Sequence, residues 1–391
     1  MQELKNLVKS NVKQYTMILV LVALTVFFQI STKGILLLPQ NVSNLVQQNA
    51  YVVILAVGMM ICIISGGNVD LSVGSVVAFI GAICATLMIG NRMNVLLVIL
   101  ISVAVALLAG AWHGFWISKF GIPSFIATLS GMLIFRGLTY FVLRGQTYFS
   151  YPESFLAFTT GFLKDYIGGE GAPIHVTTLV IGAVVSLVFV WMELQKRSKK
   201  QRYQLKVLPL PFMCAKLVVM VAFIMGFSYL VACYKGMPII MVPVAIIVIV
   251  YSFLLGNTVF GRYIYALGGN QKSAHLSGIN VKKMLFLCFV NMAFLASVAG
   301  LVFTARLNSA SPKAGEGFEL DAIAACYIGG ASASGGVGSI IGALIGALVM
   351  GLLNNGMSIM GVGIELQMAV KGLVLLLAVV LDMVQKQKAK A

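Results

Sequence analysis

Long apolar runs separated by short polar stretches dominate this sequence. Each run is close to the roughly 20 residues that a helix needs to cross the hydrocarbon core of a bilayer. We therefore predict an all-α, polytopic membrane helix bundle that forms a single domain over residues 1–391. About ten spans are expected, near residues 15–38, 50–66, 72–90, 95–117, 123–143, 176–195, 214–233, 238–256, 284–305 and 365–384.

The apolar region 321–357 departs from this pattern, because the glycine-rich stretch Gly329–Gly338 interrupts it. The arm before the interruption is too short to cross a bilayer comfortably as a helix. Irregular backbone at membrane depth is tolerated where protein buries it or where it lines a cavity. We therefore expect a re-entrant or broken helical hairpin here, in addition to the ten spans.

The composition supports a membrane protein. Hydrophobic residues make up 60% of the chain and charged residues only 10%, whereas soluble domains carry about 25% charged residues. The net charge of +16 could suggest a nucleic-acid partner. The basic residues, however, lie in short loops between apolar runs, so membrane topology explains them better and no nucleic-acid partner is expected.

The distribution of Lys and Arg predicts the orientation. With a cytoplasmic N-terminus, 18 of the 27 basic residues fall on the cytoplasmic side and seven on the opposite side. The positive-inside rule then places both termini in the cytoplasm. The expected location of the protein is the cell membrane, either a plasma membrane or an inner membrane. The connections that become cytoplasmic include a basic loop at 196–213 and a loop at 257–283. The loop at 144–175 becomes external, and there Glu153, Asp165 and Glu170 either help to dock a partner or simply belong to a connector.

Signatures of enzymes and metal sites are missing from the sequence. It contains no G-x-x-x-x-G-K-[ST] phosphate loop, no G-x-S-x-G turn and no H-E-x-x-H pair. Its six cysteines form no C-x-x-C pair, and its three histidines are far apart. We therefore expect no catalytic site, no metal and no cofactor bound by this chain.

A few charges fall at membrane depth, where a charge is costly unless it is paired or faces a cavity. They are Asp70, Arg136, Asp321 and Lys371. One interpretation is a polar lining for a hydroxylated solute. The other is structural, and Asp70 in particular is placed to cap a helix that starts near Ser72.

Polar and glycine residues near the two predicted interruptions are candidates for the translocation pathway. Val73–Val77 resembles Val337–Ile341, and transporters are often built from two related halves whose interrupted helices surround the substrate. The pathway candidates are Asn68, Asp70, Ser72, Gly74, Ser75, Asp321, Gly338, Asn354 and Asn355.

The loop 257–283 carries signals for a compact protruding element. Gly268-Gly269-Asn270 is a turn signal, Ser273–Leu276 follows as a short helix with an Asn or Ser cap, and Gly278 ends it. Such a helix on a basic cytoplasmic loop is suited to insertion into another protein, although an ordinary interfacial linker would have a similar pattern.

Four strings, taken in order, resemble the permeases of ribose-, galactose- and xylose-type ABC importers. The strings are Asp70-Leu71-Ser72-Val73-Gly74-Ser75, Gly261–Asn270 with Leu276–Asn280, Glu319–Cys326 with Ile328-Gly329-Gly330, and Leu353-Asn354-Asn355-Gly356. The resemblance covers about residues 40–384. The basic segment 196–206 and the stretch from Asn354 to Lys371 are most similar to the xylose and multiple-monosaccharide branch.

This resemblance implies a subunit that translocates a monosaccharide into the cytoplasm. It implies a second permease copy, two cytoplasmic ATPase domains that use ATP and Mg, and an extracytoplasmic sugar-binding protein. The loop with the Gly-Gly-Asn string would form the coupling helix in a cleft of the ATPase, with Ala274 and Leu276 entering the cleft. The full set of expected coupling residues is Arg262, Gly268, Gly269, Asn270, Ala274, Leu276 and Gly278.

Two other classes of function compete with an importer. An ion-coupled secondary sugar transporter usually carries acidic residues inside its spans, whereas most acidic residues here lie at span ends or in loops. A passive channel or a structural membrane subunit is the remaining class. Dependence of uptake on ATP, on an ion gradient or on neither separates the three.

Overall fold

The computed structural model describes residues 12–169, 171–204, 207 and 209–390. The N-terminal lysines Lys5 and Lys9, which contribute to the predicted orientation, lie outside these residues. The helices are α1 Val12–Ser31, α2 Pro39–Ile64, α3 Val73–Cys84, α4 Val95–Phe120, α5 Ser124–Leu143, α6 Glu153–Thr160, α7 Val176–Arg202, α8 Leu210–Ala232, α9 Met241–Asn257, α10 Val259–Gly269, α11 Gln271–Leu276, α12 Val281–Leu307, α13 Phe318–Ile328, α14 Ile340–Ile359 and α15 Ile364–Lys390. A 3-10 turn at Ile35–Leu37 and a π-helical extension of α3 at Ala85–Gly90 complete the helical part.

These helices confirm the predicted polytopic bundle. Among the described residues, nine helices are long and apolar enough to cross a membrane, and the bent pair α9–α10 raises the number to ten. The first predicted span corresponds to α1, whose described apolar stretch is Leu19–Ser31. At the cytoplasmic side as we orient it, α7 continues as a helix to Arg202, which shortens the connection predicted at 196–213.

The region 321–357 agrees with the predicted broken hairpin, because its two helices, α13 and α14, are separated by the connection 329–339. Its first arm, α13, has only 11 residues, as expected from the short apolar stretch. Its second arm, α14, is an uninterrupted 20-residue helix, which is long enough for a full crossing. The break therefore shortens only one arm. The glycine-rich stretch Gly329–Gly338, which predicted the interruption, lies in the connection between α13 and α14.

Helix α2 forms the centre of the bundle. Its residues Val52–Ile64 are all buried, and it packs against α12, α13 and α14. Gly58 permits one of these contacts, because a Cβ atom at this position would lie 2.7 Å from Sδ of Met292 on α12. A helix that is apolar on all sides and surrounded by other helices fixes the positions of its neighbours.

Two short strands close one end of the bundle. Tyr148–Phe149 pairs antiparallel with Ser309–Ala310, and this joins the segment after α5 to the segment after α12. The hydroxyl of Tyr151 donates to the carbonyl of Gly81 at 3.1 Å, which attaches the same region to α3. Both α5 and α12 therefore end on one side of the bundle, the side that the positive-inside rule makes external.

Asp165, in the connection between α6 and α7, has a structural role. Its carboxylate accepts hydrogen bonds from the backbone of Gly168 at 2.9 Å and from Val176 and Thr177, at the start of α7, at 2.8 and 3.1 Å. Desolvation opposes ionisation, but these hydrogen bonds together hold the pKa of Asp165 below its usual range. Of the two roles left open for the acidic residues in this loop, the connector role therefore accounts for Asp165.

Candidate translocation and coupling sites

A buried ion pair lies where α13, α14 and α15 meet. Nζ of Lys371 lies 3.0 Å from Oδ1 and 3.2 Å from Oδ2 of Asp321, and the amide of Asn354 donates to Oδ2 at 3.3 Å. Asp321 is only 2% exposed. Its place in the first turn of α13 is also favourable, because a helix N-terminus attracts negative charge. Two of the charges predicted at membrane depth thus neutralise each other.

An amide cluster adjoins this ion pair. Asn355 exchanges hydrogen bonds with Asn41 at 2.9 and 3.2 Å and donates to Gln48 at 3.3 Å. Asn49 donates to the carbonyl of Ala347 at 2.8 Å. The consecutive residues Asn354 and Asn355 therefore have different partners, one towards Asp321 and the other towards α2.

Sequence reasoning missed the α2 half of this cluster. The predicted span started at residue 50, because the preceding stretch is rich in Asn and Gln. In the structure α2 starts at Pro39, since those amides find partners on α14 rather than in water. The signal that could have identified them is the spacing of Asn41 and Gln48, which are seven residues apart and so lie on one helix face.

Asp70 has a local structural role, but it does not cap α3, because the residue at the start of the helix is Ser72 and no side chain accepts a cap hydrogen bond there. Oδ1 of Asp70 accepts hydrogen bonds from the backbone N–H and the hydroxyl of Ser72, at 2.8 and 2.6 Å, immediately before α3 starts. Asp70 is 2% exposed. Asn68 donates to the hydroxyl of Ser65 at 3.2 Å, while Ser75 is fully buried within α3. The side chains of Asp70 and Asn68 thus bond within their own segment, whereas the buried hydroxyl of Ser75 has no hydrogen-bond partner among the described residues.

The non-helical segment between α12 and α13 runs beside the middle of α5. The guanidinium of Arg136 donates to the carbonyls of Pro312 and Ala314, which explains how a charge inside a span is satisfied. Further along, Gly315 meets Gly74 backbone to backbone, so that a Cβ atom on either glycine would collide with the other's carbonyl oxygen. The structure thus brings Gly74 to the broken crossing but not to the Asp321 ion pair.

Five glycines form a contact that we call the glycine junction: Gly66, Gly67, Gly268, Gly335 and Gly336. The N–H of Gly336 donates to the carbonyl of Ile64, the last residue of α2, at 2.9 Å. A Cβ atom at Gly268, near the end of α10, would collide with that same carbonyl and with the nitrogen of Gly336. Gly67 and Gly335 make similar backbone contacts with Ala333 and Gly66. The end of α2, the end of α10 and the α13–α14 connection therefore meet at backbone distance.

The predicted short helix is confirmed as α11. Helix α10 turns away from α9 by 69° at Thr258, and α11 then starts with the side chain of Asn270 accepting from the backbone N–H of Ser273 at 3.0 Å. Gly278 ends the turn with φ +84°, a left-handed conformation that favours glycine. Arg262 and Gly269 are exposed on the preceding helix.

Of the two apolar residues of α11 that were expected to enter a partner's cleft, one is exposed and the other is buried. Leu276 is 88% exposed, as a residue that enters a partner's cleft should be. Ala274 is only 4% exposed and packs within its own chain. The expectation that the side chain of Ala274 enters the cleft is therefore wrong, because the short helix rests on that side chain.

Comparisons with known proteins identify the family to which this bundle of apolar helices belongs. The family model described as the permease component of branched-chain amino acid transport systems matches residues 41–379. The chain belongs to this permease family and is a multi-pass membrane protein.

Individual relatives show which members of the family this chain is similar to. The chain is 38% identical over 379 residues to the xylose transport system permease protein XylH of Haemophilus influenzae, covering 97% of this chain and 98% of the relative. It is equally similar to XylH of Escherichia coli, over 97% and 94% of the two chains. Identity to the ribose import permease protein RbsC of Escherichia coli is 36%, over 88% and 85% of the chains. No solved structure matches the chain.

The buried ion pair predicts an asymmetry between two identical substitutions. Lys371→Met leaves the Asp321 carboxylate buried without its cation, which typically costs about 3 kcal/mol or more. Lys216→Met removes an equivalent pair with Glu193, at 2.7 Å but with the lysine 45% exposed, and exposed pairs contribute about 1 kcal/mol or less. Thermal unfolding in detergent should show a large loss of stability only for Lys371→Met. The double variant Asp321→Asn with Lys371→Met should recover part of it. Equal losses from both lysine variants would contradict the assignment.

The glycine junction predicts opposite outcomes at adjacent residues. Gly268→Ala places a methyl group against the carbonyl of Ile64 and should block transport while the chain still inserts in the membrane. Gly269→Ala has open space around its new Cβ and should keep most of the uptake. Uptake and membrane abundance, measured for both variants, check this. Near-normal uptake by Gly268→Ala would contradict the prediction, because it would show that the backbones in the glycine junction can move apart without loss of transport.

Proposed function

We propose that this chain is the translocating permease subunit of an ATP-driven ABC importer for a monosaccharide, a pentose or hexose of the xylose type. The observation that carries the proposal is the identity of 38% to xylose permeases over 97% of this chain. The similarity extends over nearly the full length of this chain and of the relative. The similarity alone does not identify the sugar, since a ribose permease is almost as similar to this chain.

The proposed assembly contains two copies of this chain, two cytoplasmic ATPase domains and an extracytoplasmic sugar-binding protein. ATP and Mg belong to the ATPase domains, because this sequence has no phosphate loop. The exposed Leu276 on α11 supplies an apolar contact for the ATPase. The chain itself then acts as a transport subunit and not as an enzyme.

The proposed mechanism is alternating access. Closure of the ATPase dimer moves α10 and α11, and the glycine junction passes this displacement to α2 and to the broken crossing before α14. The polar groups near these segments, which include Asp70, Asn354 and Asn355, would face the solute when the bundle opens. The buried ion pair at Asp321 and Lys371 keeps α13 and α15 together during the movement.

Reconstituted uptake tests the function. Vesicles that contain this chain with its ATPase and binding protein should accumulate xylose or a related monosaccharide only when ATP and the binding protein are both supplied. Uptake that follows an ion gradient would favour the secondary transporter, in which Asp321 would be a relay. Uptake that needs neither ATP nor a gradient would identify a channel. A panel of pentoses and hexoses in the same vesicles would identify the sugar.

The coupling assignment predicts a contrast between two exposed residues. Leu276→Glu places a charge in a desolvated interface, and disruption of a hot spot there typically costs about 2 kcal/mol, or more than tenfold in affinity. It should abolish co-purification of the ATPase and sugar-stimulated ATP hydrolysis. Tyr203→Glu, in the basic connection after α7 and 74% exposed, should leave both near normal. The reverse result would assign coupling to the basic connection.

We also propose that both termini are cytoplasmic. In a version without the six native cysteines, a cysteine at position 200 should resist an impermeant thiol reagent in intact cells, because Lys200 lies at the basic end of α7. A cysteine at position 164, in the external loop, should react and serves as the control. Labelling at 200 with protection at 164 would reverse the orientation.

A further inference from the structure

A basic groove lies between the cytoplasmic end of α4 and the coupling segment. Its volume is about 830 Å³, and its walls come from residues 117–121 and from residues between 271 and 285. Three lysines, Lys119, Lys272 and Lys282, line it together with His275. All four side chains are exposed.

No negative charge offsets these lysines. The sequence contains no Asp or Glu between Asp70 and Glu153, the stretch that includes α4, and none between Glu193 and Glu316, the stretch that includes α11 and the start of α12. Within the part of the chain that the structure describes, none of the three lysines forms an ion pair with a carboxylate. The groove also includes the first residues of the 27-residue helix α12, whose N-terminus adds positive potential. A cavity with this potential selects a ligand with negative charge.

The position of the groove indicates where such a ligand comes from. Phe115, Trp116 and Phe120 form an aromatic group at the end of α4, and Phe115 and Phe120 are 40% and 59% exposed. Tryptophan is enriched at the interface between headgroups and hydrocarbon, and Trp116 lies one turn before the end of α4, near Lys119 in its last turn. Nζ of Lys119 lies 5.2 Å from the centre of the Phe115 ring, so the charge and the aromatic group are adjacent. The groove is thus placed at headgroup level beside a span.

The groove has an apolar side, which suits the acyl chains of a lipid, and a polar side, which suits its headgroup. Ile117 and Leu285 come from the membrane-spanning helices α4 and α12 and give the groove an apolar side. The lysines give it a polar side. Of the expected coupling residues, Gly278 lines the groove, whereas Leu276, the exposed apolar residue of α11, does not. The coupling helix therefore presents one face to the groove and a different residue to its cytoplasmic partner.

We propose that this groove binds the phosphate headgroup of an anionic phospholipid from the cytoplasmic leaflet. Basic pockets at the cytoplasmic ends of membrane helices bind such headgroups through lysine. A lipid held here contacts α4 and the coupling segment at once. The position of α11 therefore depends on the composition of the membrane. This ligand site is independent of the sugar and of the direction of transport.

Titration of the purified full-length chain in neutral detergent tests the proposal. Phosphatidylglycerol should bind saturably, phosphatidylcholine should not, and inorganic phosphate should not compete at matched concentration. The triple variant Lys119→Gln, Lys272→Gln and Lys282→Gln should weaken phosphatidylglycerol binding about a hundredfold, since each lysine near an anionic headgroup contributes about fivefold. The matched control Lys199→Gln, Lys200→Gln and Lys283→Gln removes the same charge outside the groove and should retain binding.

Three results would overturn the proposal. Equal weakening by the control variant would reduce the effect to net charge, and competition by inorganic phosphate would identify a site for a free ion. Unchanged lipid binding by the groove variant, with loss of ATPase co-purification, would assign the groove to the protein partner. Photo-crosslinking of a phosphatidylglycerol analogue to the unmodified chain gives a second measurement. The adducts should lie within 117–121 and 271–285, and adducts elsewhere would refute the site.

Discussion

The need to satisfy every polar backbone group without water governs this fold. Helices meet that need internally, but the segment from Leu307 to Phe318 and the α13–α14 connection do not. Arg136 donates to carbonyls of the first segment, and the carbonyl of Ile64 accepts from Gly336 in the second. The glycines at both places bring backbones close enough for these contacts. The central helix α2 and its neighbours therefore supply the hydrogen-bond partners that water would otherwise supply to the interrupted crossing.

Buried polar side chains follow the same constraint. Asp321 is matched by Lys371, Asn355 by Asn41 and Gln48, and Asp70 by the Ser72 backbone and hydroxyl. Each group is expensive alone in a bundle surrounded by lipid and inexpensive in its pair. The pairs connect elements that are distant in sequence, so they also determine which helices are neighbours. A polar pathway can be built from such groups only if the movement that opens it offers them new partners.

Much of this fold follows from apolar run length, which depends on the bilayer and not on the partners of each residue. The start of α2 could not be predicted from this property, because Asn41, Gln48 and Asn49 look like loop residues until α14 is beside them. The break before α14 could be predicted from Gly329–Gly338, and the glycines within α14 do not interrupt it, because they pack against neighbouring helices such as α13. Local cap chemistry did predict α11, through Asn270 and Gly278. The burial of Ala274 depends on packing within the tertiary fold, which no local pattern encodes.

The glycine junction has a consequence for leakage. Gly268 contacts both the final carbonyl of α2 and the α13–α14 connection, with no room for even a methyl group between them. A gate on one side of the bundle and a gate on the other cannot be displaced separately if both are attached to a single rigid point. In the proposed mechanism, the end of α2, the end of α10 and the α13–α14 connection would then move together, and this would disfavour a state with both sides open. A permeability barrier of this kind needs no bulky plug, because it results from the absence of side chains at one contact.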